Sequence, residues 1–365
     1  MQLGSCAGDP TLLDAANPSE FVLAGSHRLV GLRSWAPRGY SSGVARFLVT
    51  GGAGFIGSHI VQALISAGDE VRVLDDFSSG REENLEEFAP GAVGSGAPVE
   101  LLRGDVADSD ACGRACEGVD GVFHEAALVS VPRSVEEPER TWEVNSTGTL
   151  NLLEASRRAS VGRFVFAASS AAYGESEVLP KVETMPVDPR SPYAASKVAG
   201  ETLLAAYGNS YGMQTVSLRY FNVFGPRQLD DSPYTGVIAI FARCLLEGTP
   251  PTIHGDGGQT RDFTYVDNVV AANLAAMQRE VPTGSVINVG GGERVSLLEL
   301  YKAVAEALGS DLEPVFGETR TGDVRHSLAD LQRAEQLLGQ RPEVTWRDGL
   351  KRTLEWYQSV HGGPS

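Results

Sequence analysis

A glycine-rich octet, T-G-G-A-G-F-I-G, runs from Thr50 to Gly57 and constrains this chain more than any other segment. Before it lies a short apolar run, Arg46–Thr50 (R-F-L-V-T), which reads as a buried strand. After it, His59–Ala67 (H-I-V-Q-A-L-I-S-A) has helical apolar spacing and stops at Gly68. Glycines at 51, 54 and 57 permit a tight turn, close approach of the backbone to a ligand, and close helix–strand packing. The start of the helix then offers free N–H groups and the positive end of its dipole, an arrangement suited to a pyrophosphate. The spacing is G-x-x-G-x-x-G rather than the more familiar G-x-G-x-x-G. A turn of this kind can also serve as a plain connection, so its neighbours decide its meaning.

The neighbours alternate. Further strands are expected at Val71–Asp75, Val99–Arg103, Val119–His124, Arg163–Ala168 and Gln214–Arg219, with strong helical patterns at Ser146–Ala159 and Tyr193–Tyr211. Repeated strand–helix alternation predicts an α/β fold, a Rossmann-type doubly wound parallel sheet with helices on both faces. Asp75 ends the second strand 18 residues after Gly57, near the place where an acid accepts hydrogen bonds from an adenosine ribose. Its charge, reinforced by Asp76, would repel a 2′-phosphate, which favours NAD over NADP. Gly104-Asp105-Val106 ends the third strand, where it could meet the adenine. Ala89–Pro98 reads as a surface insertion without chemistry. Beyond Arg219 the alternation fades into loops rich in Gly and Pro (Gly225–Gln228, Gly248–Arg261, Gly290–Gly292), with a helix at Leu297–Leu308. The expected organisation is a disordered extension, or translation from an upstream start, over 1–44; a dinucleotide-binding domain over 45–217; and a smaller C-terminal substrate-binding lobe over 218–365, interleaved with it.

Bulk properties narrow the partners. With 30 basic against 47 acidic residues the net charge is -17, which argues against nucleic acid or an anionic membrane surface. No apolar run reaches the roughly 18 residues of a membrane helix, and no secretory signal is visible, so a cytoplasmic location is expected. Cys112 and Cys116 stand four apart, as two buried residues on one helix face would, and no cysteine spacing suggests a disulfide or metal. His59, His124, His254 and His326 are not spaced as ligands either, and no metal is expected.

Ser191–Lys197 reads S-P-Y-A-A-S-K, which puts Tyr193 and Lys197 one helical turn apart on the same face. An ammonium beside a phenol is expected to lower the phenol's pKa, so that Tyr193 could act as a base near neutral pH. With the glycine turn, this pair makes the chain from about Ala45 to Tyr357 resemble the extended short-chain dehydrogenase/reductases, and within them the nucleotide-sugar epimerases. The motifs stand in order: L-D-D-F at 74, G-D-V at 104, H-E-A-A at 124, S-V-P-R-S at 130, V-N-S-T-G-T-L-N at 144 and A-A-S-S-A-A-Y-G at 167. R-Y-F-N-V-F-G-P-R at 219, G-G-Q-T-R-D-F at 257 and R-T-G-D-V-R-H-S at 320 complete them.

The resemblance implies roles. Tyr193 is the base, and Lys197 tunes it and holds the nicotinamide ribose; Ser169 bonds the sugar 4-hydroxyl and Ser170 assists. Gly51, Gly54, Phe55, Ile56 and Gly57 would hold the cofactor, NAD, together with Asp75, Asp76, Asp105, Val106, Ala126, Ala127 and Asn145. Ser130, Arg133, Asn222, Arg261, Arg320, Asp323 and Ser327 would hold a UDP-sugar, the arginines neutralising its diphosphate. The reaction implied is 4-epimerisation through a 4-keto sugar, with NAD regenerated in each cycle. Related dehydratases carry an Asp-Glu pair after the catalytic Ser/Thr, and related decarboxylases a Glu; here Ser170 and Ala171 stand there instead. A non-catalytic NAD-binding protein is the other alternative, disfavoured because both Tyr193 and Lys197 are present. The small Ser327 favours a UDP-N-acetylhexosamine over UDP-glucose/UDP-galactose. UDP-glucuronate stays open, since Arg133 or Arg325 could meet a carboxylate. In this family the helices at 146–159 and 193–211 form a four-helix bundle between subunits, which implies a homodimer.

Overall fold

The computed structural model describes residues 44–228, 236–318 and 324–361; the extension expected over 1–44 lies outside them except for Val44. The apolar run forms β1 (Arg46–Thr50), in which every residue after Arg46 is buried. A strand flanked on both faces reads as an unbroken apolar run, and here it sits mid-sheet. The sheet continues with β2 (Glu70–Asp75), β3 (Gly91–Ala92), β4 (Val99–Arg103), β5 (Gly121–His124), β6 (Arg163–Ser169), β7 (Gln214–Tyr220) and β8 (Ser285–Val289). Their order is β8-β7-β6-β5-β1-β2-β4-β3, and every pair is parallel. The winding reverses between β1 and β5, which opens a crevice at the carboxyl ends of the strands.

Eleven α-helices occur among the described residues. The first six are α1 (Phe55–Ala67), α2 (Ser109–Cys116), α3 (Val131–Glu136), α4 (Pro138–Trp142), α5 (Gly148–Arg158) and α6 (Pro192–Tyr211). They are followed by α7 (Val237–Leu246), α8 (Val266–Gln278), α9 (Leu297–Leu308), α10 (Gln332–Leu338) and α11 (Trp346–His361). Helix α1 starts at Phe55, four residues before its apolar spacing becomes visible, because the glycine turn itself supplies the first turn. The helix expected from Ser146 begins as a π-helical turn, Glu143–Thr147, which leads into α5. Within the presumed insertion 89–98, Gly91–Ala92 adds an edge strand beside β4. The second half also returns to the sheet: α8 packs on α1, and β8 pairs along β7. Weak alternation had hidden this return, because the loops between are long. No helix among the described residues is long and apolar enough to cross a membrane.

Cys112 and Cys116 are buried on one face of α2, within the core cluster under β1, β2 and β5. Burial pushes their thiols up to about 12 and about 11, so they are inert packing residues.

Candidate active site

The carboxyl ends of the strands and the loops of the second half enclose a cleft of about 1150 Å³. At one end is the glycine turn. Gly51 has φ +65°, and a Cβ there would meet the Ala126 nitrogen at 2.8 Å; a Cβ on Gly57 would lie 2.1 Å from the Gly51 carbonyl oxygen. The turn therefore admits no side chain at these two positions. No side chain caps the start of α1, which leaves its first N–H groups facing the cleft for an anion. Asp75 lies at the end of β2, its carboxylate accepting from the N–H groups of Ala53 (2.9 Å) and Phe77 (2.8 Å). Burial raises its pKa from the usual carboxylate range, and those two N–H groups oppose the shift.

Gly54, Phe55, Ile56, Asp76, Val106, Ala126 and Ala127 line the same cleft. Asp105 lines it too, but its carboxylate is engaged by Arg140 of α4 and by the Ala107 N–H, so its backbone is what remains to meet a ring. Asn145 does not line the cleft. It sits on the π-helical turn and is buried, its amide oxygen accepting from the Leu128 N–H (2.8 Å) and its nitrogen donating to the Leu128 carbonyl (3.0 Å) and the Ser196 hydroxyl (3.0 Å). It holds the cleft wall onto α6 from behind. The one-residue widening of the π turn aims it there.

At the floor stands α6. Ser191 caps it by accepting from the Ala194 N–H at 3.1 Å, and Pro192 occupies the first turn. This start places Tyr193 at the cleft, with Lys197 one turn on and both buried. Ser169, at the end of β6, lies beside the Tyr193 phenol and lines the cleft with it, and its hydroxyl accepts from the Ala171 N–H at 3.2 Å. Lys197 donates to the Ala167 carbonyl at 2.8 Å and lies over the Phe166 ring. Burial pushes Lys197 down to about 8, opposed by the charge of Glu125. The expected lowering of Tyr193 by Lys197 is not what the protein alone displays. Burial raises the phenol above its ordinary value, and Ser169 beside it is the opposing influence.

The far end is the candidate sugar-nucleotide region, where Ser130, Arg133, Ser170, Ala171, Asn222, Arg261 and Ser327 line the cleft. Asn222 is held at φ 20° and donates to the Asp262 carbonyl at 3.3 Å. Ser130 caps α3, accepting from the Arg133 N–H at 3.1 Å, while Arg133 pairs with Glu137. Arg325 does not line the cleft, and Asp256 holds it bidentately at 2.9 and 2.8 Å, whereas Arg133 does line it. Arg320 and Asp323 lie outside the described residues.

Among the histidines, His124 is buried between the hydroxyls of Thr50 (2.8 Å) and Thr149 (2.9 Å), and burial drives it down to about 3. It is a neutral bracket under the glycine turn. Among the described residues no group of three or more His, Cys, Asp or Glu is placed to hold a metal. Glu125, Tyr220, Lys181 and Arg227, none of them a candidate from the sequence, also line the cleft. A charge directly after a buried apolar strand, as in H-E-A-A, was the available signal for Glu125.

A family model described as the NAD dependent epimerase/dehydratase family matches residues 47–290. The chain is 42% identical over 316 residues to the UDP-glucose 4-epimerase of Mycolicibacterium smegmatis, covering 86% of this chain and 99% of that protein. Among solved structures it is similar to the UDP-glucose 4-epimerase of Thermotoga maritima with UDP-glucose, at TM-score 0.81 and 40% identity, covering 87% of this chain and 99% of the other. The UDP-N-acetylglucosamine 4-epimerase of Methanobrevibacter ruminantium, in complex with UDP-N-acetylmuramic acid, matches at TM-score 0.81 and 38% identity, with the same coverage.

Proposed function

The chain belongs to the NAD-dependent epimerase/dehydratase family, and from its site we propose that it interconverts 4-epimers of a UDP-sugar through a 4-keto intermediate. The observation that carries this reading is the buried pair Tyr193 and Lys197, with Ser169 beside the phenol, on the floor of a cleft whose end is a glycine turn that admits no side chain at 51 or 57. That turn, the uncapped start of α1 and the Asp75 carboxylate fit NAD: backbone N–H groups for a pyrophosphate, an acid for a ribose diol, and a charge that disfavours a 2′-phosphate. NAD supplies there a hydride acceptor and donor for carbon 4 of the sugar.

The chain's own residues do the proton work. Tyr193 takes the proton of the 4-hydroxyl and returns it to the same oxygen after the keto sugar has turned to present the opposite face of carbon 4, while Ser169 bonds that oxygen and Ser170 assists. Lys197 offsets the phenolate charge. Arg261 neutralises the diphosphate and Asn222 bonds it, so that the keto sugar can turn on its tether; Arg320 and Asp323 are assigned to the same nucleotide end. Ala171, on the cleft wall, brings neither acid nor base to the keto intermediate, and this favours epimerisation over elimination or decarboxylation.

The small side chain of Ser327 on the cleft wall favours UDP-N-acetylglucosamine/UDP-N-acetylgalactosamine, with UDP-glucose/UDP-galactose the rival. The engagement of Arg325 by Asp256 weighs against UDP-glucuronate. A homodimer through α5 and α6 and the cytoplasmic location expected from sequence are carried as part of this reading; cell fractionation checks the latter. The test is a panel of UDP-sugars incubated with the enzyme and resolved by NMR. The 4-epimer of an N-acetylhexosamine should appear, and a 4-keto-6-deoxy or decarboxylated product would overturn the assignment.

A further inference from the structure

The three glycines at 290–292, which the proposed chemistry does not use, follow β8 and wrap around one carboxylate. It belongs to Asp262, which is fully buried and does not line the cleft. Its Oδ1 accepts from the N–H groups of Gly291 (2.6 Å) and Gly292 (3.2 Å), and its Oδ2 from the Ala329 N–H (2.9 Å). Only glycines allow so close an approach. A Cβ on Gly290 would stand 2.9 Å from Asp262 Oδ2 and 2.7 Å from the Ala329 Cβ, and one on Gly291 would stand 2.4 Å from the Phe263 carbonyl oxygen. Burial pushes the acid up to about 6 while those N–H groups hold it down, so it is ionised at neutral pH.

The segments joined here carry three of the cleft-lining groups. Arg261 is the neighbour of Asp262 in sequence. Asn222, just after β7, donates to the Asp262 carbonyl at 3.3 Å, and its own carbonyl accepts from the Thr264 N–H at 3.1 Å. Ser327 stands two residues before Ala329, and its N–H donates to the Thr260 carbonyl at 3.1 Å. Resting on the assignment of Arg261, Asn222 and Ser327 to the sugar nucleotide, we infer that Asp262 is a positioning residue: its carboxylate locks the segments that carry these groups into one wall. Bonds from main-chain N–H groups to a carboxylate are roughly twice as strong as neutral ones, and they fix the backbone rather than side-chain tips. The strip also has a second support, since Leu328 and Asp330 pair with the Lys181 backbone at 2.8 and 2.9 Å. That pairing does not depend on the carboxylate. The glycine turn at 51–57 takes no part in the clamp, so the dinucleotide end stands apart from it.

Asp262→Asn keeps the shape, but its amide nitrogen cannot accept, so one side of the clamp is lost. KM for the UDP-sugar, and the dissociation constant of UDP alone by calorimetry, should rise roughly 10-fold while kcat stays within about threefold, the pattern of lost uniform binding. NAD content should not change. Hydrogen exchange followed by peptide mass spectrometry should quicken over 258–264, 290–293 and 324–330 and stay as it was over the glycine turn. Gly290→Ala, which presses a Cβ against the carboxylate and Ala329, should give the same pattern more weakly, and it serves as the second variant if the first does not fold. A fall in kcat with KM and UDP affinity unmoved, loss of NAD, or exchange that quickens throughout the chain would overturn the inference, since a purely structural loss lowers the active fraction and leaves KM alone. If the parent enzyme epimerises nothing and binds no UDP, the functional reading fails, while the exchange experiment still decides whether Asp262 clamps these segments.

Discussion

At Tyr193 burial and chemistry pull against each other: the phenol sits above its ordinary pKa, yet the proposed reaction needs it as a base. Tyr193→Phe should therefore lower kcat by at least ~100-fold, the lower end of what a positioned general base contributes, while NAD stays bound. Turnover measured by NMR, beside the cofactor content of the purified variant, checks both parts. His124 makes a second prediction at this scale. Its folded pKa lies at about 3, well below the ordinary 6.5, so the unfolded chain takes up a proton that the folded one refuses. The stability this histidine contributes is present in full above pH 6.5 and is lost as pH falls from there toward 3. Melting temperatures across that window should decline, and His124→Asn should flatten the decline; parallel curves would show that other groups dominate acid unfolding.

Among the elements, the β1–α1 turn has the least tolerance. A Cβ at residue 57 would lie 2.1 Å from a backbone oxygen, and no flexible side chain can move aside to admit it. Gly57→Ala should thus cost about 1–3 kcal/mol or more and spoil the anion seat at the helix start. Thermal denaturation together with NAD content tests this, and an unaltered protein with full cofactor would contradict it. The same turn is legible in the sequence, because its glycines answer to local sterics. The π-helical turn at 143–147 is not. It follows from how Asn145 reaches across to Leu128 and Ser196, contacts far off along the chain. Helix α8 and strand β8 were missed for a related reason: they join a sheet whose other strands precede them by many residues.

In the whole molecule, α5 and α6 pack on each other and still leave large apolar side chains in water. Leu150 of α5 is 38% exposed and Tyr211 of α6 is 57% exposed, with Trp142 of α4 at 50% nearby in sequence. A second copy would cover such a face. Size-exclusion with light scattering should find a homodimer, and Leu150→Glu should yield monomers; a parent that runs as a monomer at all concentrations removes the dimer from the reading. Sequence alone settled the class of fold and pointed to a seat for a dinucleotide and to the pair Tyr193 and Lys197, since each depends on neighbours within a turn or on strand periodicity. Folding decided what depends on distant partners. It put Asn145 behind the wall instead of in the cleft, tied Arg325 to Asp256, and bonded Glu125 to the Tyr220 hydroxyl. The physical reason is the same in each case: a side chain's charge state and aim are set by what is packed against it, and only the closed sheet brings those partners together.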